Sequence, residues 1–194
     1  MIYQLYIELE GSSPLVWRRI QVPENYTLYR LHMAIQGAFG WENSHLFEFI
    51  ERQSPRATRY GVPSAEVPDQ DVVDARKMKV NKYFRVTGQE CHYIYDFGDY
   101  WKHKVIFEKS EAKEAGPPFC IGGAGACPPE DVGGMHGYYE MVETSKTPSC
   151  KEWQEYRQWL GLVEGENWDV KSLNFRYLAI SLLRGQFSEL NFYR

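Results

Sequence analysis

A chain of 194 residues with 43% hydrophobic and 15% aromatic side chains can bury one substantial core, which excludes an aromatic-poor disordered polymer. A formal charge of -4, with four cysteines and no CxxC pair, argues against a broad basic nucleic-acid clamp and against a disulfide scaffold. No apolar run approaches the roughly 18 residues of a membrane span, and Met1-Ile2-Tyr3-Gln4-Leu5 opens without a basic region and apolar block, so a cytoplasmic chain with no membrane partner is expected.

Residues 2–10 alternate, with Tyr3, Leu5, Ile7 and Leu9 on one face, as in a half-buried strand. Gly11-Ser12-Ser13-Pro14 is turn chemistry, and residues 15–22 resume as a strand, which makes a hairpin. Leu28, Leu31, Ile35 and Ala38/Phe39 then recur at helical spacing, with Thr27 placed to cap the start and Gly40 to end it. Residues 45–51 read as a strand and 52–70 as a long Pro- and Gly-punctuated loop. A short helix over 71–80 follows, then strands over 90–97 and 100–108 and a linker over 109–118. Residues 120–137, with six glycines and Pro128-Pro129, look too irregular for helix or strand. Three helical patterns close the chain, the last carrying Phe175, Leu178 and Leu182.

The densest chemistry lies in Tyr95-Asp96-Phe97-Gly98-Asp99-Tyr100-Trp101-Lys102-His103. If Gly98-Asp99 is a two-residue hairpin loop, Asp96 pairs with Trp101, Ile94 with His103 and His92 with Val105. Asp96, His103 and His92 then share one face, where a carboxylate orienting an imidazole suits acid-base or metal-ligand work. The plainer reading gives Asp96 and Asp99 to turn amides and makes His103 a hydrogen-bonded histidine beside Trp101.

Cys120 and Cys127 are spaced too widely for a zinc knuckle. No phosphate-cradling loop or GxSxG serine elbow is present. Glu130 and Asp131, beside Gly133-Gly134 and near His136, read either as hard metal ligands or as caps on the following helix. His45 and Glu48 would face opposite sides of a strand and not share an ion, and Trp41, Phe47 and Phe49 read as core. The one local basic cluster, Arg76, Lys77, Lys79, Lys82 and Arg85, is explained by a solvated helix face.

Several of these stretches occur in an order that resembles the plasmid pRiA-type ORF-three-like proteins, a family also labelled transposon-passenger TnpR-like. The likeness spans residues 1 to about 183. It is carried by Pro14-Leu15-Val16-Trp17-Arg18-Arg19, Leu31-His32 with Ile35-Gln36, Ala38-Phe39-Gly40-Trp41, and His45-Leu46 with Glu48-Phe49. Tyr95-Asp96-Phe97-Gly98-Asp99 with Trp101 and His103, and Cys127-Pro128-Pro129-Glu130-Asp131 with Gly133-Gly134, complete it. Phe47 stands where the family commonly has a second histidine, Tyr100 where an acid is common, and Ala124-Gly125 where a charged pair is common. The missing histidine weighs against a shared metal site that includes residues 45–49. The resemblance implies a fold class and a mobile-element or plasmid neighbourhood, but no established activity.

The expected architecture is α+β: an antiparallel or mixed sheet with one helix across it, a β-grasp-like start, and a C-terminal helical subdomain. Residues 1–118 form the sheet core, and 119–194 supply the Gly/Pro-rich segment and the helices packed on it. The expected function is a non-enzymatic binding module for a protein or small ligand, with no resident cofactor. Its surface would comprise Asp96, Asp99, Trp101, His103, Glu130, Asp131, Gly133 and Gly134. The alternative is a metal-assisted hydrolase or nuclease in which a divalent ion draws on Asp96, His103, Glu130 and Asp131, with Asp99 nearby. A third reading, nucleic-acid binding through Arg76 to Arg85, is disfavoured by the net charge.

Overall fold

A computed structural model describes residues 1–51, 57–63, 71–114, 116–164, 166 and 168–172. The elements run β1 (Ile2–Leu9), β2 (Trp17–Pro23), α1 (Leu28–Phe39), β3 (Phe47–Glu51), β4 (Arg59–Gly61), β5 (Val72–Asp74), α2 (Val80–Tyr83), β6 (Glu90–Tyr95), β7 (Trp101–Glu111), β8 (Phe119–Ala124), α3 (Gly134–Ser145) and α4 (Lys151–Trp159). The eight strands make one sheet in the order β5-β4-β3-β6-β7-β1-β2-β8, antiparallel except for the β4–β5 pair. This is the α+β architecture expected. The helix predicted around Phe175 to Leu182 and most of the 52–70 loop lie outside the described residues.

The alternation in β1 does what its period requires. Leu5, Ile7 and Leu9 are fully buried, and β2 answers with Ile20 and Val22 on the same face. On the opposite face, charged side chains pair across strands: Lys104 with Glu8 at 3.3 Å, Lys102 with Glu10 at 2.9 Å, and Arg19 with Glu108 at 2.8 Å. Solvated pairs of this kind add little stability individually, but they keep that face wet and fix which side is core.

The helix α1 starts and stops where its caps direct. Thr27 Oγ1 accepts from the Arg30 amide at 3.2 Å, and Gly40, at φ 82°, donates its amide to Gln36 O at 2.8 Å. Its apolar stripe of Leu28, Leu31, Ile35 and Ala38 is buried with the core face of the sheet.

Three local expectations are corrected. Residues 71–80 are not a helix: Val72–Asp74 forms β5, parallel to β4, and helix begins only at Val80. The adjacent β-branched Val72-Val73 favours the pleated surface. Residues 119–124 are not irregular: they pair with β2 as an edge strand, where a Cβ on Gly122 would lie 3.5 Å from the Trp17 ring. The glycine there packs beside the indole without breaking the strand. Finally, the β6–β7 register differs by one residue from a two-residue hairpin, pairing Tyr95 with Trp101, Tyr93 with His103 and Cys91 with Val105. Five residues, 96–100, form the loop, closed by a Tyr100 amide to Asp96 carbonyl bond of 2.7 Å with both residues at φ 56°.

Candidate metal centre

The one-residue register change redistributes the predicted ladder. His103 turns into the core, fully buried between Phe39 and Tyr93 at ring distances of 4.9 and 5.3 Å. Its Nδ1 lies 3.3 Å from Tyr93 O, a carbonyl that only accepts, so this nitrogen carries the proton. Burial lowers the His103 pKa to about 4. Trp101 is likewise fully buried, and His92 reaches Glu10 on the opposite face at 3.2 Å. Asp96 is left at the loop, apart from both histidines of the predicted ladder.

The loop after α1 is held by a buried polar network. Asn43 Oδ1 lies 2.6 Å from His32 Nε2, the other His32 nitrogen lies 2.8 Å from the Tyr93 hydroxyl, and Gln36 Nε2 donates to that hydroxyl at 3.1 Å. The amide of Asn43 returns to Gln36 Oε1 at 2.9 Å, closing the circuit. An amide oxygen on Nε2 makes that nitrogen the donor and leaves Nδ1 to accept from Tyr93. Burial lowers the His32 pKa to about 3, so the ring works as a neutral strut. The Leu31-His32 and Ile35-Gln36 pairs noted in the sequence thus position the loop that carries His45.

A second set of bonds ties this loop to the 127–134 segment. Trp41, nine-tenths buried and stacked on Tyr95 at 5.0 Å, donates Nε1 to Pro128 O at 2.9 Å. The Tyr95 hydroxyl donates to Glu130 Oε1 at 2.5 Å and accepts from the Ser44 amide at 3.0 Å. Glu130 Oε1 also accepts from the Glu42 amide at 3.0 Å. Burial first, and Glu130 second, raise the Tyr95 pKa, which keeps its hydroxyl a donor. Asp99 Oδ2 accepts from the Gly133 amide at 3.2 Å, next to the start of α3.

Glu130 and Asp131 therefore do not cap α3. The N-cap is Gly133 at φ 91°, without a side-chain bond of its own, and Asp99 serves its amide from across the interface. Gly134 meets the β6–β7 loop so closely that a Cβ would stand 2.7 Å from Asp99 O. The two backbones can touch here because position 134 carries no side chain.

What these ties bring together is His45, Asp96 and Asp131. His45 Nε2 lies 3.0 Å from Asp131 Oδ1 and 3.6 Å from Asp96 Oδ2, and one ligand atom from each residue falls within 4.8 Å of the others. Asp96 is 7% exposed and its Oδ1 accepts from the Gly98 amide at 2.9 Å, while its other oxygen faces the imidazole. Asp131 is largely exposed and marks the open side. His45 Nε2 is itself sealed from solvent, yet no hydrogen bond of acceptable geometry reaches it. An imidazolium between two carboxylates would aim its N–H along one of those contacts; this nitrogen faces both and bonds to neither.

The backbone is also unusual here. Among the described residues, the non-glycine positions with positive φ are Asn43, Asp96, Tyr100 and Asp131, at 59°, 56°, 56° and 60°. All four lie in the three loops that build the cluster. Asn and Asp tolerate the left-handed region, but a tyrosine there is costly, and such conformations gather at binding and catalytic sites. One imidazole nitrogen and two carboxylate oxygens form a borderline-to-hard donor set suited to Zn²⁺ or Mn²⁺, and three protein ligands leave coordination positions open.

Of the residues singled out in the sequence, Asp96 and Asp131 reach the cluster. Asp99, Glu130, Gly133 and Gly134 form its frame, and Trp101 and His103 lie in the core. His45 was missed because it was placed on a strand with Glu48; it precedes β3, while Glu48 pairs with Arg59 at 2.7 Å. The basic stretch from Arg76 to Arg85 spans a turn, α2 and the residues after it, and Arg76 is engaged by Asp74 at 2.8 Å.

Residues 1–176 match the family model described as plasmid pRiA4b ORF-3-like protein. The chain belongs to this family. The ORF-3-like relatives include the uncharacterized protein y4hQ of Sinorhizobium fredii (strain NBRC 101917 / NGR234), 36% identical over 179 residues, which span 91% of this chain and 88% of the relative. The crystal structure of the protein of unknown function MM3350 from Methanosarcina mazei Go1 superimposes with a TM-score of 0.75 at 37% identity, covering 91% of this chain and 95% of that one. The ORF-3-like stretches quoted from the sequence are far apart in the chain. Those around Trp41, His45, Tyr95 and Pro128 meet at this one end of the sheet. Among the described residues, no helix is long and apolar enough to cross a membrane.

Proposed function

We propose that this protein is a binding module built around a divalent cation. The ion is held by His45 Nε2, Asp96 Oδ2 and an oxygen of Asp131, and its open positions receive an oxygen donor from a small ligand or a partner protein. The observation that carries this reading is the solvent-sealed His45 nitrogen, without a hydrogen bond, 3.0 and 3.6 Å from two carboxylates. Asp99, Glu130 and Tyr95 frame the site without ligating. This differs from the ligand set read off the sequence: His45 enters, while His103 and Glu130 leave.

A second reading, metal-assisted hydrolysis, draws support from the largely exposed Asp131. A three-ligand ion open on that side would admit both water and a polarisable substrate oxygen. Both readings need the ion, so the first experiment is the same. Purified protein is assayed for bound metal, stripped, and heated with Zn²⁺, Mn²⁺ or Mg²⁺. An ion present at 100 times its Kd adds about 2.7 kcal/mol, which raises Tm by roughly 5–11 °C in a chain of this size. The shift should vanish in H45A. No shift with any divalent ion, or an undiminished shift in H45A, overturns the proposal.

A further inference from the structure

Arg18 is unusual among the residues of the core. The alternation of β2 points it inward with Ile20 and Val22, and it is 3% exposed. Four backbone carbonyls solvate its guanidinium: Nε donates to Ala38 O at 2.8 Å, Nη1 to Trp17 O at 2.8 Å and Ala124 O at 2.9 Å, and Nη2 to Gly125 O at 3.1 Å. A guanidinium has five N–H groups, so one on Nη2 has no partner among the described residues. Among the described residues no carboxylate pairs with it. Burial lowers its pKa, but arginine keeps its charge in proteins. A buried cation without an anion is expensive, and carbonyl dipoles offset only part of that cost.

The same guanidinium lies over the Phe39 ring, 5.2 Å from its centroid, and Arg18 is one of the residues lining a cavity of about 570 Å³. This volume falls within the several hundred Å³ typical of small-molecule sites. Phe39, Leu160, Leu162 and Trp168 give one part of the cavity an apolar wall, while polar surface makes up the larger share of its lining. Glu166 and Asp169 also line it, but both are exposed, and their carboxylates accept from the Val163 amide at 3.0 Å and the Lys171 amide at 2.9 Å. Neither neutralises Arg18.

We infer that this cavity is a second binding site, for a small organic carboxylate whose head accepts the free Arg18 N–H and whose apolar body packs against Phe39, Leu160 and Trp168. A single unused donor on a single buried charge matches a monoanion bound through one oxygen; it does not match a phosphate dianion, which needs several donors. The lining shares no residue with His45, Asp96 and Asp131, so this site stands independently of the metal centre.

The test is calorimetric titration of the full chain in metal-free, EDTA-containing buffer with 3-phenylpropionate and its neutral analogue 3-phenylpropan-1-ol. Removing metal prevents the carboxylate from reporting an ion held at His45. The acid should bind one-to-one and at least about tenfold more tightly than the alcohol, the difference expected of a hydrogen bond to a charged group. L162W, which fills the cavity while leaving residue 18 unchanged, should abolish binding while leaving the circular dichroism spectrum intact. R18Q should remove the preference for the acid if it folds; if it does not, L162W alone decides. Equal affinity for acid and alcohol, no saturable heat with the acid, or unchanged binding in L162W overturns the assignment.

Discussion

Gly134, three residues after Asp131, packs against the β6–β7 loop that carries Asp96, and alanine at that position tests this contact. Gly134 sits at φ 66°, where an L side chain costs about 1–2 kcal/mol, and its Cβ would stand 2.7 Å from Asp99 O. Backbone cannot swing aside as a lysine tip can, so the clash adds about 1–3 kcal/mol of overpacking. G134A should therefore lose about 2–5 kcal/mol, a Tm drop of roughly 4–20 °C in a chain of this length. Gly88 supplies the control: at φ 85° it carries the same backbone penalty, but a Cβ there meets nothing within 4 Å. G88A should lose only the first part, about 1–2 kcal/mol. Thermal unfolding of both variants, followed by circular dichroism, isolates the clash as their difference. Equal losses in the two would mean that the loop and the helix start are not in contact, and the geometry of the candidate centre would fall with them.

Two further outcomes follow from the polar framework. Y95F removes the donor to Glu130 and the acceptor of the Ser44 amide, and should cost about 1.5–3 kcal/mol in urea unfolding; a loss below about 0.5 kcal/mol would show that the hydroxyl is not a tie between the two loops. Acid should weaken the fold before the carboxylates titrate. His32 and His103 are held neutral by burial, with pKa values of about 3 and about 4, whereas in the unfolded chain they take up protons near 6.5. Between those values the unfolded chain binds more protons, so stability is full above about pH 6.5 and erodes as pH falls toward 4. At pH 5 the cost is roughly 2 kcal/mol for each ring. The lowered carboxyls of Asp74 and Glu108 lose their stabilisation only below their ordinary values of 3.8 and 4.5, so a urea midpoint unchanged from pH 7 to pH 5 would contradict neutral burial.

Local physics was readable where local physics decides. The alternation of Tyr3, Leu5, Ile7 and Leu9 and the bracketing of α1 by Thr27 and Gly40 are visible in sequence because each is set by neighbours within a few residues. The register of β6–β7 was not, because a five-residue loop closed by Asp96 and Tyr100 in the left-handed region looks, residue by residue, like a Gly-Asp hairpin. β8 is hidden by its glycines, which disfavour a strand locally, and its pairing is set by β2, a strand about a hundred residues earlier. Asp96 and Asp131 were recognised as acids near turns. Their convergence with His45, however, depends on the Tyr95–Glu130, Trp41–Pro128 and Asp99–Gly133 ties, which join segments from 34 to 87 residues apart. Phe47, where the resemblance leads one to expect a second histidine, offers no ligand atom beside His45. Phe47 instead stacks on His32 at 3.7 Å, inside the network that supports the loop.

The proposed ion requires that His45 face its two carboxylates as a metal ligand and not as an ion pair. Crystals grown with Mn²⁺ or Zn²⁺ test it directly through an anomalous difference map. A single peak about 2.0–2.2 Å from His45 Nε2 and from oxygens of Asp96 and Asp131 is the predicted result. A map without a peak there, with Nε2 donating a linear hydrogen bond to Asp131, would contradict it.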